Sequence, residues 1–163
     1  MRIFCIALVF IAFLPLTSMA KEKQIEVSTN PLSLLIGATN IEGQYFFKNE
    51  MSGGLYYWNW GYSDGFNNYS LTVTQPFVGY YLKPDKNGPF VRGGIFKMDI
   101  QMAGASGSLT GPTIGGGYNW LTKNGLSIHG GYELVLGGSA TIGGQTFNAQ
   151  VFSLGILRVG YRF

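Results

Sequence analysis

The chain has 163 residues, with 11 Lys plus Arg against 8 Asp plus Glu, one His and one Cys; 15% of it is aromatic, 25 residues are Gly, and only 12% is charged. That length bounds it to about one domain, and a balance of +3 gives no electrostatic footprint for nucleic acid. The charged fraction is about half of the ~25% usual in soluble domains, too low for an ordinary water-facing skin. A single Cys excludes a disulfide framework and a Cys-based metal site.

Arg2 is followed by an apolar run from Ile3 to Leu16 and then Ser18-Met19-Ala20. A short apolar core closed by small residues predicts a signal peptide over 1–20, cleaved before Lys21. The run falls short of the roughly 20 residues that span a bilayer as a helix. Cys5 lies inside this segment, so the expected mature chain, 21–163, is a single domain with no thiol. No apolar stretch in it reaches helical spanning length, so any membrane crossing must use strands.

Turn-forming clusters divide the mature chain into pieces of roughly 10 residues, the span of a tilted membrane strand. Lys48-Asn49-Glu50, Lys83-Pro84-Asp85-Lys86-Asn87-Gly88 and Thr122-Lys123-Asn124-Gly125 are short and charged. Between them fall breaks near Ala38-Thr39-Asn40, from Tyr62 to Asn68, from Ala103 to Gly107, and at Gly143-Gly144; apart from Asp64 these carry no charge. The predicted elements are eight strands near 26–37, 41–47, 52–61, 70–82, 89–102, 108–120, 126–142 and 145–163, with no helix-period stretch among them.

Side chains alternate faces along a strand, so each stripe can be assigned a solvent. In the second strand Ile41, Gly43, Tyr45 and Phe47 oppose Glu42, Gln44 and Lys48. In the sixth, Ile114, Gly116, Tyr118 and Trp120 oppose Thr113, Gly115, Gly117 and Asn119. In the seventh, Leu126, Ile128, Gly130, Tyr132, Leu134 and Leu136 oppose Ser127, His129, Gly131 and Glu133. The eighth sets Ser153, Gly155, Leu157, Val159, Tyr161 and Phe163 against Leu154, Ile156, Arg158, Gly160 and Arg162. These are apolar-out, polar-in dyads. The fourth and fifth strands obey less well, since either Gln75 or Pro76 faces lipid and Arg92 shares a stripe with Phe90, Gly94, Phe96 and Met98.

A two-residue Gly143-Gly144 hairpin turn makes the numbers of facing residues sum to 287, placing His129 opposite Arg158 and Glu133 opposite Leu154, all on inward stripes. Tyr45, Phe47, Tyr81, Phe90, Trp120, Tyr161 and Phe163 gather at the rim carrying the charged turns, and Trp58 and Trp60 at the other, as aromatic girdles do.

The leader, the dyad strands, the one-sided charged turns and the terminal Gly-Tyr-Arg-Phe together resemble the small bacterial outer-membrane β-barrels of the OmpA/OmpX type, over nearly all of 25–163. The resemblance implies an all-β, single antiparallel up-and-down barrel of about eight transmembrane strands, exported through the periplasm with both termini there. It also implies that Val159, Tyr161 and Phe163 act as the terminal signal read by the barrel assembly machinery. The partners are then that machinery and outer-membrane lipid.

Within such a barrel Glu42, His129, Glu133, Arg158 and Arg162 form a lumenal polar cluster. Eight strands leave a bore that side chains fill, and charges enclosed there must pair, so their expected role is structural and no open pore is expected. Gly115 and Gly117 are expected to make room for the arginines. No cofactor or metal is expected. A lipid A deacylase-like enzyme of the same fold is the catalytic alternative, but the deacylases carry a serine two residues after the histidine, where this chain has Gly131. A secreted lipocalin-like barrel is the soluble alternative; it would turn Arg158 and Arg162 outward and line its cavity with Leu134 and Leu136. The loops 61–70, 102–108 and 137–148, with Trp60, Tyr62, Phe66, Tyr69 and Phe147, are candidates to contact an extracellular ligand.

Overall fold

The computed structural model describes residues 24–47, 49–102, 105–142, 145–149 and 152–163. The predicted signal peptide, Lys48 and the Ala103-Gly104 and Gly143-Gly144 turn pairs therefore lie outside the described residues. The strands are β1 Ile25–Thr29, β2 Thr39–Phe46, β3 Met51–Ser63, β4 Asn68–Tyr81, β5 Gly88–Met102, β6 Ala105–Leu121, β7 Leu126–Val135, β8 Gly138–Ile142, β9 Gln145–Ala149 and β10 Phe152–Arg162; one short helix, α1 Pro31–Leu35, follows β1. Each strand from β1 to β6 pairs antiparallel with the next, and β10 pairs with β7 on one side and β1 on the other, which closes an eight-stranded barrel. Closure leaves no free edge around the turn end, whereas toward the hairpin end β9 pairs, among the described residues, with β8 only.

Alternation along each strand decides what lies inside. β2 reads exposed, buried, exposed, buried from Thr39 to Phe46 without a break. Ile41, Leu55, Val78, Val91, Ile95, Ile114, Ile128 and Leu134 are exposed on the outer wall, while Glu26, Glu42, Gln75, Arg92, His129, Glu133, Arg158 and Arg162 are buried within. On the less regular strands, Gln75 and the whole Arg92 stripe face inward.

Short turns and both described chain ends gather at one end of the barrel, the turn end; the opposite, hairpin end is taller. There the strands run past the predicted limits: Ser63 pairs with Asn68, Met102 with Ala105 and Ile142 with Gln145. The expected loops 61–70, 102–108 and 137–148 are thus largely strand. Their outer face turns polar, with Thr74, Lys97 and Thr110 level with one another above Ile95, and Lys97 paired to Asp99 at 3.0 Å.

Four further expectations are corrected. The strand expected over 26–37 stops at Thr29, because Asn30 caps α1 by accepting from the Leu32 N–H and Pro31 starts it where no donor is needed. The single strand expected over 126–142 is two, β7 and β8. Thr113 pairs with Val135 but Thr110 with Ser139, so three steps on β6 meet four on the partner, and Gly137 at φ 83 carries the extra residue as a bulge. Tyr81 and Phe90 do not join a girdle; they are buried in the bore, stacked 5.6 Å apart, with Phe46 5.5 Å from Tyr81. Trp58 likewise packs against an inner cluster of Val73, Phe96, Leu109 and Val135.

The fourth correction concerns Gly115 and Gly117. A Cβ on Gly117 would lie 2.2 Å from the Gly130 carbonyl oxygen, and one on Gly115 2.5 Å from that of Tyr132. These glycines let β6 and β7 approach closely rather than clearing space for arginine.

Candidate functional site

The lumen holds the chemistry-bearing side chains in two layers. Nearest the turn end, Glu26 of β1 is shared: its Oε1 lies 2.6 Å from His129 Nε2 on β7, and its Oε2 accepts from Arg162 Nε on β10 at 3.0 Å. Arg162 Nη2 lies 2.9 Å from the same Oε2. The Arg162 guanidinium stacks on Phe46 at 3.7 Å, and the His129 ring stands edge-on to Phe90. Gln44, Ser52 and Tyr81 add a neutral hydrogen-bonded group beside it.

The second layer is a four-charge chain. Glu42 Oε2 lies 3.1 Å from both Arg92 Nη1 and Arg158 Nε, and Arg92 Nη2 reaches Glu133 Oε2 at 3.2 Å. Gln75 donates to Glu133 at 2.6 Å and to Thr113 at 3.1 Å. Arg92 also lies over Phe77 at 4.0 Å and Arg158 over Tyr56 at 4.8 Å. Glu26, Glu42 and Glu133 thereby balance Arg92, Arg158 and Arg162, the condition under which charges withdrawn from water can be held at all.

All five lumenal residues singled out from sequence are buried here, but they divide between the layers: His129 and Arg162 in the first, Glu42, Glu133 and Arg158 in the second. Glu26, Arg92 and Gln75 complete the networks. The side chains of Tyr161 and Phe163 pack edge to face at 5.0 Å on the outer side of β10. Among the described residues, no group of three or more His, Cys, Asp and Glu is placed to hold a metal.

Above the second layer the bore is not filled. A cavity of about 290 Å³ lies toward the hairpin end, walled by Tyr56, Trp58, Leu71, Met98 and Leu154 and floored by Gln75, Glu133 and Arg158. Arg158 Nη1 is buried and has no hydrogen-bond partner. Outside, Tyr62 and Tyr69 stand 6.1 Å apart at the top of β3 and β4, and Phe66 is fully exposed at the tip of their turn. That turn is tied by Asp64, whose carboxylate accepts from the Phe66 and Asn67 N–H groups, which hold its pKa below the usual value.

No protein-family model and no curated protein sequence matches this chain.

Proposed function

We propose that the protein is an integral outer-membrane β-barrel of the OmpA/OmpX type, with a lumen blocked by its charged layers and a structural or surface-contact role rather than a catalytic or pore-forming one. The observation that carries this reading is the inverted polarity of the barrel: three glutamates and three arginines are paired inside while isoleucine, leucine, valine and tyrosine side chains cover the outside. In water that outer wall would be a far larger apolar patch than soluble proteins expose; in a bilayer it is the required surface.

The dimensions agree. The outward stripe on β7 runs apolar from Leu126 to Leu136, and ten steps of about 3.3 Å at a tilt of about 40° give a belt roughly 25 Å tall, the height of a membrane barrel's apolar band. Polar residues begin above it, at Thr110 and Lys97. A lipocalin-like barrel requires Arg158 and Arg162 outside and Leu134 and Leu136 within, the opposite of the placement described. Against a deacylase-like reading, the described hydrogen-bond partner of His129 is Glu26, deep in the bore near the turn end, rather than a serine.

The test is fractionation of cells expressing the full chain, together with gel mobility in SDS before and after boiling. Recovery in the outer membrane with a heat-dependent mobility shift is expected; a soluble periplasmic protein of unshifted mobility would overturn the reading. Mass spectrometry of lipid A from the same cells, unchanged by expression, is expected on the non-catalytic reading, and loss or gain of an acyl chain refutes that part.

A further inference from the structure

The barrel wall is not continuous strand. β1 ends at Thr29, so its pairing with β10 reaches only Val159, while β10 continues to Phe152 paired on its far side with β7. β2 in turn starts at Thr39 and meets β1 from Ser28 downward. Toward the hairpin end, the flank of β10 and the start of β2 therefore have no strand between them. Helix α1 occupies that gap and touches both strands. It turns Ser33 inward and leaves Leu32, Leu35 and Ile36 exposed by 56, 82 and 65%. Asn40, through its side chain, bonds Thr29 and the backbone of Asn30, tethering the helix at its N-cap.

The cavity above the charge layers reaches this gap. Besides its inner walls it is bordered by Ser33 of α1 and by Gly155 and Leu157, residues of the outward stripe of β10. It therefore has apolar walls and extends from the bore to the wall beside α1. Its polar floor contains one unsatisfied donor, Arg158 Nη1, on a residue 5% exposed. A buried donor without a partner is costly, and an oxygen supplied by a ligand would remove that cost. The paired charges around it are already balanced, so one acceptor oxygen suffices. The volume is at the small end of ligand pockets, which suits one chain rather than two.

We propose that this cavity binds a single acyl chain, with its hydrocarbon among Tyr56, Trp58, Leu71, Met98 and Leu154, its carboxyl or ester oxygen on Arg158 Nη1, and access through the gap covered by α1. Lateral access rests on the membrane reading above. The source of the chain is either a free fatty acid or a lipid of the bilayer, and the two are separable by experiment.

Trp58 reports on the site from within. The full chain with Trp60→Phe and Trp120→Phe is folded into unlabelled phosphatidylcholine vesicles, and its heat-dependent mobility shift is checked first, so that failure to form a membrane barrel is recognised separately. Titration with bromine-labelled dodecanoic acid is expected to quench Trp58 saturably, at about one acid per barrel. Adding Leu71→Phe and Leu154→Phe, which fill the walls, should abolish the saturable component. Arg158→Met leaves Glu42 paired with Arg92 and should weaken binding about tenfold or more, whereas bromododecane, lacking the oxygen, should bind comparably to both proteins. Saturable quenching by bromine-labelled phosphatidylcholine, abolished by the same two phenylalanines and not displaced by dodecanoic acid, upholds the site and assigns its chain to a bilayer lipid. A shifted, inserted barrel whose Trp58 is quenched by neither probe, or is quenched equally with the walls filled, overturns the proposal.

Discussion

Glu42 is the one carboxylate that touches two arginines of the second layer, and the two depend on it unequally. Arg92 has a second ion pair with Glu133, at 3.2 Å, whereas among the described residues Arg158 pairs with Glu42 only. Glu42→Gln keeps the volume and removes the charge, so it should leave Arg158 as a buried cation without a counter-charge. Breaking a buried pair in this way costs about 3–5 kcal/mol, or roughly a hundredfold to several thousandfold in the folding equilibrium. The suppressors then differ. Adding Arg158→Met removes the stranded cation and should recover more than half of the loss, offset by the lost stacking on Tyr56. Adding Arg92→Met strands Glu133 as well and should deepen it. The assay is guanidinium unfolding of vesicle-inserted protein, followed by tryptophan fluorescence and by heat-dependent mobility, with the four variants arranged as double-mutant cycles. Equal rescue by the two methionines, or a Glu42→Gln protein within about 0.5 kcal/mol of wild type, would refute the connectivity argued here.

Three other outcomes are expected. Gly117→Ala should prevent folding or cost several kcal/mol, because its Cβ meets backbone of the adjacent strand, while Gly43→Ala, where nothing lies within 4 Å, should refold in vesicles as wild type; similar yields for both would remove the close-approach argument. Ile114→Arg places a cation in the apolar belt and should cost about 2–4 kcal/mol in lipid, whereas Thr110→Arg, in the polar collar, should cost about 0–1; the reverse order, measured by the same unfolding assay, would invert the assigned facing. Asp64 has its pKa lowered by backbone N–H groups of its own turn, so its contribution to turn order is present above the ordinary aspartate range and is lost as pH falls through the lowered value. Protease cleavage at Phe66 should accordingly rise as pH drops below about 4, and Asp64→Ala should be cleaved readily throughout; a cleavage rate flat with pH in the wild type counts against this.

How the sequence carried this structure differs from place to place. Where one face is apolar and the other polar, as on β7 and β10, alternation sufficed, and the Gly143-Gly144 turn set a register in which Arg158 does face His129 and Leu154 does face Glu133. Arg92 was obscured because its stripe also carries Phe90, Phe96 and Met98; a narrow bore must be filled, so aromatics go inside as well as out and polarity no longer separates the faces. Glu26 stood first in its predicted strand, with no preceding alternation to orient it. The pairings themselves span the bore between residues 50, 58 and 103 apart in sequence. They depend on barrel diameter and shear, which counting outward from a hairpin turn does not reach. The helix α1 was signalled by Asn30-Pro31, a cap followed by a first-turn proline, within a segment whose apolar residues also suit a strand.

The brevity of β1 also bears on the order in which the barrel assembles. From β2 to β10 every pairing joins neighbours along the chain or a nested hairpin, and β5 with β6 alone shares fifteen registered positions. β1 has only four on each side, and its contact with β10 brings together residues 136 apart. Drawing in so long a chain costs about 2 kcal/mol more loop entropy than closing a ten-residue hairpin. Four rungs of ladder give little leverage against that, so the side chain of Glu26, gripping both Arg162 and His129, becomes the clasp that slows reopening of the closed barrel. A curved open sheet running from β2 to β10 is the natural penultimate species, and its lifetime should lengthen when that one carboxylate is removed.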